Sequence, residues 1–424
     1  MTWSERSLAA FPAGSNGEFN LTPELTMVVQ RGQGCHLWDA DGREYIDFSM
    51  GWGSALVGHA NPAVVEAVVK QAPLGSNFSY VNENALLLAE ELLRLSPACD
   101  RIRFAASGTE ATLYCRRLAR EFTGRSKILK FEGAYHGATE IGVVSLFPDN
   151  PPDWPEPEPT GTGASRSALK DILVAPYNDT ETMRRIIEEN ADDLAGVIVE
   201  PLQRCTPPKP GFLEELRRVT LEHGIILIFD EVVTGFRLAY GGAQEYYGVV
   251  PDLVAYGKAL GGSYPIGAYG GRADVMDLVC ESRMNQMPYV WSASTLGGNP
   301  ISCAAARATL GQFSQEGVYP RLHQLGNYLR DGMRKILDEQ GVTSQIIGDG
   351  PLAQVVFSGE PVFDYRSTKK GDSAKGRCLM LNLFKRGVFL NPMGTKLYLS
   401  IAHDESVCDD FLSRFVDALK ETIV

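Results

Sequence analysis

RIRFAASGTEATLYCRRLAREF, residues 101–122, decides how this chain is read. It opens on a short apolar run, RIRFAA. It then passes through Ser107, Gly108 and Thr109 and continues into LYCRRLAREF, whose apolar spacing is helical. A Ser-Gly-Thr step between strand and helix has two readings. It is a tight turn, or it is an anion cradle made of unbonded N–H groups at a helix start with hydroxyls beside them. The same short-run-then-helix unit recurs downstream in KILKFEG, in DILVAPY with ETMRRIIEENADD, in GVIVEP with FLEELRRVTLEHG, in IILIFDEV and in DLVAYGKAL. These runs are apolar on both faces, which predicts a buried, mostly parallel sheet flanked by helices, an α/β fold.

On either side the pattern changes. MVVQRGQGCHLWDADGREYIDF, 27–48, reads as antiparallel strands turning at Asp41-Gly42. NPAVVEAVVKQA reads as a helix with Asn61 as cap and Pro62 in the first turn. The Pro- and Gly-rich stretch 147–165 predicts a long surface loop, a candidate lid. RLHQLGNYLRDGMRKILDEQ predicts an amphipathic helix, and LAQVVFSG and GVFLNP predict strands of a separate α+β lobe.

The totals narrow the class. A chain of 424 residues has room for two or three lobes. A net charge of −12 argues against a nucleic-acid partner, which calls for a basic face. No apolar run reaches the ~18 residues that span a bilayer, and MTWSERSLAAF lacks the form of a secretory signal. The eight cysteines form no C-x-x-C pair, so the expectation is free thiols in a reducing cytoplasm.

In open parallel sheets, ligands bind beyond the carboxyl ends of the strands. The polar residues expected there are Ser107, Gly108 and Thr109; Tyr135 and His136; Glu200; Asp230 and Glu231; and Lys258. Each has an ordinary structural reading. Asp230 suits a helix cap or an ion pair, Glu200 a strand end, Tyr135 the core and His136 a local hydrogen bond. Lys258, between an apolar strand and a glycine turn in YGKALGG, is costly to bury without a role. Together they match one cofactor, pyridoxal 5'-phosphate. Its aldehyde needs an amine for a Schiff base, which is Lys258. Its pyridine nitrogen needs a carboxylate to keep it protonated, which is Asp230. Its ring needs a stacking partner, Tyr135 or His136, and its phosphate needs the cradle at 107–109.

The motifs WDADGREYIDF (38–48), GHANP (58–62), SGTEATLYCRRLAR (107–120), FEGAYHG (131–137), VEP (199–201), FDEVVTGFR (229–237), GKALGG (257–262), STLGGNP (294–300) and LSIAHDE (399–405) resemble those of class III (subgroup II) pyridoxal-phosphate aminotransferases, close to the glutamate-1-semialdehyde aminomutase branch. The resemblance covers most of the chain. It implies fold type I: a large domain with a mostly parallel seven-stranded sheet between helices (51–305), and a small α+β domain from the two chain ends (1–50 and 306–424). It implies that Lys258 carries the cofactor and shuttles the proton, that Asp230 pairs with the pyridine nitrogen, and that Val232 packs on the ring face opposite Tyr135. Glu200 would orient the site through Arg237 or a bound substrate. Gln203 is the residue placed to touch the phenolic oxygen. Thr295 would reach the phosphate of a neighbouring subunit, since active sites of this family lie at a homodimer interface.

The expected activity is ping-pong amino transfer from an amine or amino-acid donor to a keto acid, ketone or aldehyde. The alternative is intramolecular aminomutase chemistry. Three departures from the aminomutase pattern weigh on that choice. FPAGSNGEFN, 11–20, ends in Glu18-Phe19-Asn20 where the aminomutase has an arginine for the substrate carboxylate. NPMGTKLYLS, 391–400, has Lys396 and no acid, and ATEIGVV, 138–144, replaces a serine-bearing loop. A carboxylate would need another partner, with Arg31, Arg204 and Arg237 as candidates. Glu18 would favour a cationic or polyhydroxylated amine such as an amino sugar. A nucleotide enzyme would need G-x-x-x-x-G-K-[ST] and a serine hydrolase G-x-S-x-G, and the chain has neither. A non-catalytic protein of the same fold would show no cofactor absorbance.

Overall fold

The computed structural model describes residues 1–14, 16–17, 22, 25–161, 163–286 and 288–423. Glu18, Phe19 and Asn20 lie outside these residues. The chain forms two compact units. The first comprises Met1–Pro62, Gln315–Val362 and Arg366–Val424; the second comprises Ala63–Ser314 and Phe363–Tyr365. The breaks fall about ten residues beyond 50/51 and 305/306, so the helix Pro300–Phe313 stays whole in the second unit.

In the first unit, β1 (Val29–Gln33), β2 (His36–Asp39) and β3 (Glu44–Asp47) form the antiparallel meander. The turn between β2 and β3 is held by Asp39, whose Oδ1 accepts the N–H groups of Asp41 and Arg43 at 3.1 and 2.8 Å, while Gly42 supplies φ +88°.

The second unit carries β4 (Arg101–Ala105), β5 (Lys127–Phe131), β6 (Ile172–Ala175), β7 (Leu194–Val199), β8 (Ile226–Asp230), β9 (Leu253–Tyr256) and β10 (Gly267–Gly271). Their order across the sheet is β4-β10-β9-β8-β7-β5-β6. All run parallel except β10, which is antiparallel to both neighbours. Every residue of β6, β7, β8 and β9 is buried, as two-sided helical cover requires. The helix Gly108–Thr123 lays Ala111, Cys115, Leu118 and Ala119 on the sheet and ends at Gly124 in the left-handed conformation.

The chain then returns to the first unit. There β11 (Gln345–Ile347), β12 (Leu352–Val356) and β14 (Lys396–Tyr398) form a second antiparallel sheet, and β13 (Val388–Phe389) joins β3 in parallel. A core of Phe48, Leu329, Met333, Leu383, Phe411 and Phe415 lies among these sheets and the helices Val318–Glu339, Ser373–Lys385 and Glu405–Ile423. Among the described residues, no helix is long and apolar enough to cross a membrane.

At the amino end of β8 and β9, Asp252 is 2% exposed and takes Arg217 at 2.6 Å, Arg272 at 2.9 Å and the Leu227 N–H at 2.9 Å. Burial raises its pKa, but the two arginines outweigh burial and leave it below the ordinary aspartate value of 3.8. A depressed carboxylate stabilises the fold above its unfolded pKa and loses that contribution as pH falls through the folded value. Asp252→Asn is therefore expected to destabilise the protein by roughly 3 kcal/mol at pH 7. The gap to wild type should narrow below pH ~4. Urea titrations across pH test this, and a pH-independent gap would refute it.

Candidate active site

The carboxyl ends of β4, β5, β7, β8 and β9 point to one edge of the sheet, and the chemistry collects there. Beyond β4, Ser107 is the N-cap of the helix Gly108–Thr123 and accepts the Glu110 N–H at 3.3 Å. The first helical N–H groups have no acceptor inside the helix, so they face outward with the positive end of the helix dipole. The next loop locks against this turn. Ala138 N–H donates to Thr109 Oγ1 at 3.3 Å, and a Cβ on Gly137 (φ +91°) would lie 2.7 Å from Thr109 Cα.

Beyond β8, Asp230 is 4% exposed. Its Oδ2 lies 2.7 Å from His136 Nδ1, and its Oδ1 accepts the Val232 N–H at 3.1 Å. Burial lowers the His136 pKa more than the neighbouring carboxylate raises it. A neutral ring donating from Nδ1 then orients Asp230 and adds no charge. His136 Nε2 is buried with no partner among the described residues. Of the two stacking candidates, the fully buried His136 sits against Asp230, while Tyr135 is 43% exposed with its ring open to the edge. The Tyr135 hydroxyl is raised by burial and by the Asp230 charge, against a hydrogen bond with Thr109.

Lys258 follows β9 at φ +41°, where a side-chain-bearing residue costs about 1–2 kcal/mol. Gly257 before it leaves no room for a side chain without crowding. Its Cβ would meet Val232 at 3.3 Å and Gly108 Cα at 3.4 Å. Val232 in turn fills the space a Cβ on Gly108 would need, at 2.8 Å. Three segments, 107–109, 230–232 and 257–258, thus interlock through two glycines.

Glu200 is placed by backbone groups. Its Oε1 accepts the Tyr135 N–H at 2.9 Å and its Oε2 the Arg204 N–H at 3.2 Å. Among the described residues it makes no bond to Arg237, whose Nε donates to Val233 O at 2.9 Å. Gln203 donates from Nε2 to Glu132 O at 2.6 Å, which leaves only its buried Oε1 without a partner. Glu231, beside Asp230, is fully buried and caps the helix Ala243–Tyr247. It accepts from the N–H groups of Ala243 and Gln244, from Gln244 Nε2 and from Thr234 Oγ1. Burial pushes its pKa up to about 7. Thr295 is exposed, its carbonyl taking Asn77 Nδ2 at 3.2 Å.

Two supports were not anticipated from the sequence. Lys130 is fully buried and donates from Nζ to the carbonyls of Ala134, Gly142 and Val144 at 2.8, 3.5 and 2.6 Å. Arg116 donates to His136 O at 3.2 Å and to Thr139 Oγ1 at 2.8 Å. Together they pin the loop carrying Tyr135 and His136. The signal for Lys130 was a lysine inside KILKF, a strand apolar on both faces.

These residues fit pyridoxal phosphate. There is an anion cradle at a helix start, a buried carboxylate held by His136 and the Val232 N–H, a lysine at the same edge and a partly exposed aromatic residue.

Residues 20–423 match the family described as Aminotransferase class-III, and the chain belongs to that family. Glutamate-1-semialdehyde 2,1-aminomutase of Methanocaldococcus jannaschii is 38% identical over 96% of this chain and 94% of its own. Among solved structures, an omega-transaminase from Sphaerobacter thermophilus superposes with a TM-score of 0.94 at 33% identity, covering 100% of this chain and 97% of that one. A transaminase solved with PLP bound gives 0.90 at 28% identity, covering 99% and 97%. The fold is that of the fold type I pyridoxal-phosphate transferases.

Proposed function

We propose that this chain is a pyridoxal-phosphate aminotransferase that moves an amino group from an amine or amino-acid donor to a carbonyl acceptor. The observation carrying this reading is the meeting of Lys258, Asp230 and the 107–109 cradle at one sheet edge, in a chain 33% identical to an omega-transaminase over its whole length. When bound, pyridoxal phosphate draws electrons from the carbon that bears the transferred nitrogen.

The chain's own residues would do the rest. The N–H groups of Gly108 and Thr109 and the Ser107 and Thr109 hydroxyls hold the phosphate. Asp230, oriented by His136, keeps a proton on the ring nitrogen. Tyr135 and Val232 bracket the ring. Lys258 Nζ takes and returns the proton at the substrate carbon. Gln203 has one of its two Nε2 hydrogens committed to Glu132 O, so the other would be the one to reach the phenolic oxygen.

The second reading is the intramolecular one. The aminomutase relative at 38% identity supports it at least as strongly as the structural neighbour supports the first. A half-reaction screen separates them. Single amines and amino acids are added to the loaded protein, the cofactor spectrum is followed, and the products are identified. Release of a carbonyl product with the cofactor left aminated supports transfer between molecules. A product isomeric with glutamate-1-semialdehyde and no net release supports the mutase. No spectral change with any compound, that semialdehyde included, would defeat both.

A homodimer is part of the proposal. Leu74, Phe78, Tyr80, Val81, Trp291 and Leu296 are 49–88% exposed. Asn77 and Asn82 tie their segment to Thr295 and Gly298. So large an apolar surface calls for a partner, and a second copy would bring Thr295 to the neighbouring phosphate. Tyr80→Asp with Val81→Asp is expected to convert dimer to monomer in sedimentation and to lower cofactor occupancy. An unchanged mass would refute the interface.

A further inference from the structure

We propose that Arg204 is the anchor for a substrate carboxylate, and that the preferred substrates are therefore carboxylate-bearing amines and their carbonyl partners. The inference rests on the amino-transfer reading in either form, since both act on amines at this edge. Three arginines were open to this role, and the structure separates them. Arg237 is fully buried, its Nε spent on Val233 O. Arg31 has its guanidinium engaged on the Trp38 ring at 3.6 Å. Arg204 lies at the site edge itself. It follows β7 by five residues, and its backbone N–H is held by Glu200, whose other oxygen holds the Tyr135 N–H.

The side chain is oriented before any substrate arrives. Nε donates to Gly133 O at 2.8 Å, two residues before Tyr135. The guanidinium carbon sits 5.0 Å from the centre of the Phe147 ring. Two of its three nitrogens remain. Nη1 and Nη2 make no hydrogen bond and no ion pair among the described residues. The residue is half-buried and makes no ion pair among the described residues. The backbone adds a second sign of selection for position, because Arg204 has φ +58°. That region suits glycine, and a long charged side chain there is retained at a cost in strain. A pinned Nε with two open Nη groups presents a planar fork, the geometry that binds a carboxylate through two parallel hydrogen bonds.

The test uses Arg204→Asn, whose side chain tolerates the left-handed region, with Arg204→Gly as a second variant free of backbone strain and Arg204→Lys to keep the charge without the fork. Binding of butanoate is followed by saturation-transfer NMR, which needs no turnover. The expected result is transfer in wild type, loss in Arg204→Asn and Arg204→Gly, and partial retention in Arg204→Lys. In parallel, half-saturating concentrations are compared for β-alanine against ethylamine and 4-aminobutanoate against propylamine. Discrimination in favour of the carboxylated member is expected to fall roughly 10- to 100-fold without the guanidinium, the worth of a paired charge-assisted hydrogen bond. Unchanged butanoate binding or unchanged discrimination in the variants overturns the assignment. If no amine alters the wild-type spectrum, the amino-transfer reading fails, and the butanoate experiment still decides whether Arg204 binds carboxylates.

Discussion

Lys258→Ala is expected to abolish turnover, of which the lost acid–base step alone accounts for about 10²–10⁴-fold, and to remove the cofactor absorbance that borohydride bleaches in wild type. Two roles meet on one nitrogen: it carries the cofactor and it moves the proton. The backbone argues for the assignment independently. Position 258 opens a one-turn helix at φ +41° directly after Gly257, which is wedged against Val232 and Gly108. Alanine keeps a Cβ at the same strained position, so global stability should change little, and thermal unfolding of the variant checks this. Retained turnover would place the reactive amine elsewhere. Lys130 is the other lysine to examine, because burial lowers its pKa to about 7.

The second large effect is expected from Asp230→Asn, a loss of roughly 10²–10³-fold in kcat with the cofactor still bound. Asp230 takes one bond from His136 Nδ1 and one from the Val232 N–H. Both contacts fix the orientation of the carboxylate, and its negative charge would stabilise a proton on a nitrogen facing it. An amide of the same shape keeps the packing and loses the charge. Spectral titration for bound cofactor, set beside turnover, separates the two. A near-normal rate would mean that another carboxylate does the work. Glu231 is poorly suited to it, since backbone N–H groups of the helix Ala243–Tyr247 already fill its oxygens.

Much of this site was legible because the α/β pattern announces itself. A short run apolar on both faces, followed at once by a polar residue, marks the carboxyl end of a parallel strand. Ser107, Tyr135, Glu200, Asp230 and Lys258 were all named as candidates that way. What escaped has physical reasons. GAYGG, 267–271, has the composition of a turn and yet forms β10, the strand next to the sheet's β4 margin. Its glycines answer to close approach: a Cβ on Gly267 would lie 2.2 Å from Ser107 O, and one on Gly271 2.2 Å from Asp252 O. The left-handed turn Met50–Gly53, with φ between +48° and +80°, is equally silent in the sequence, since only two of its four residues are glycine. The split between Asp230, open at the site, and Glu231, closed on a helix start, depends on which way each side chain leaves the strand end. The order of the two letters does not reveal it. In the first unit β1 to β3, β12 and β13 were read from the sequence, whereas β11 and β14, three residues each, are too short for periodicity to mark them.

The place of β10 also sets a timetable. β4 lies at the sheet margin and pairs only with β10, which leaves the ribosome about 160 residues later. At ordinary elongation speed that is a delay of roughly 8–33 s. Through that interval β5 to β9 emerge one after another and can pair in parallel among themselves, while β4 waits as an unclaimed margin. Ser107 ends that margin, so the cradle at 107–109 is among the last parts of the domain to set. Cofactor capture at that cradle is therefore expected to come after β10 has closed the sheet, as its seal rather than as the seed from which it grows.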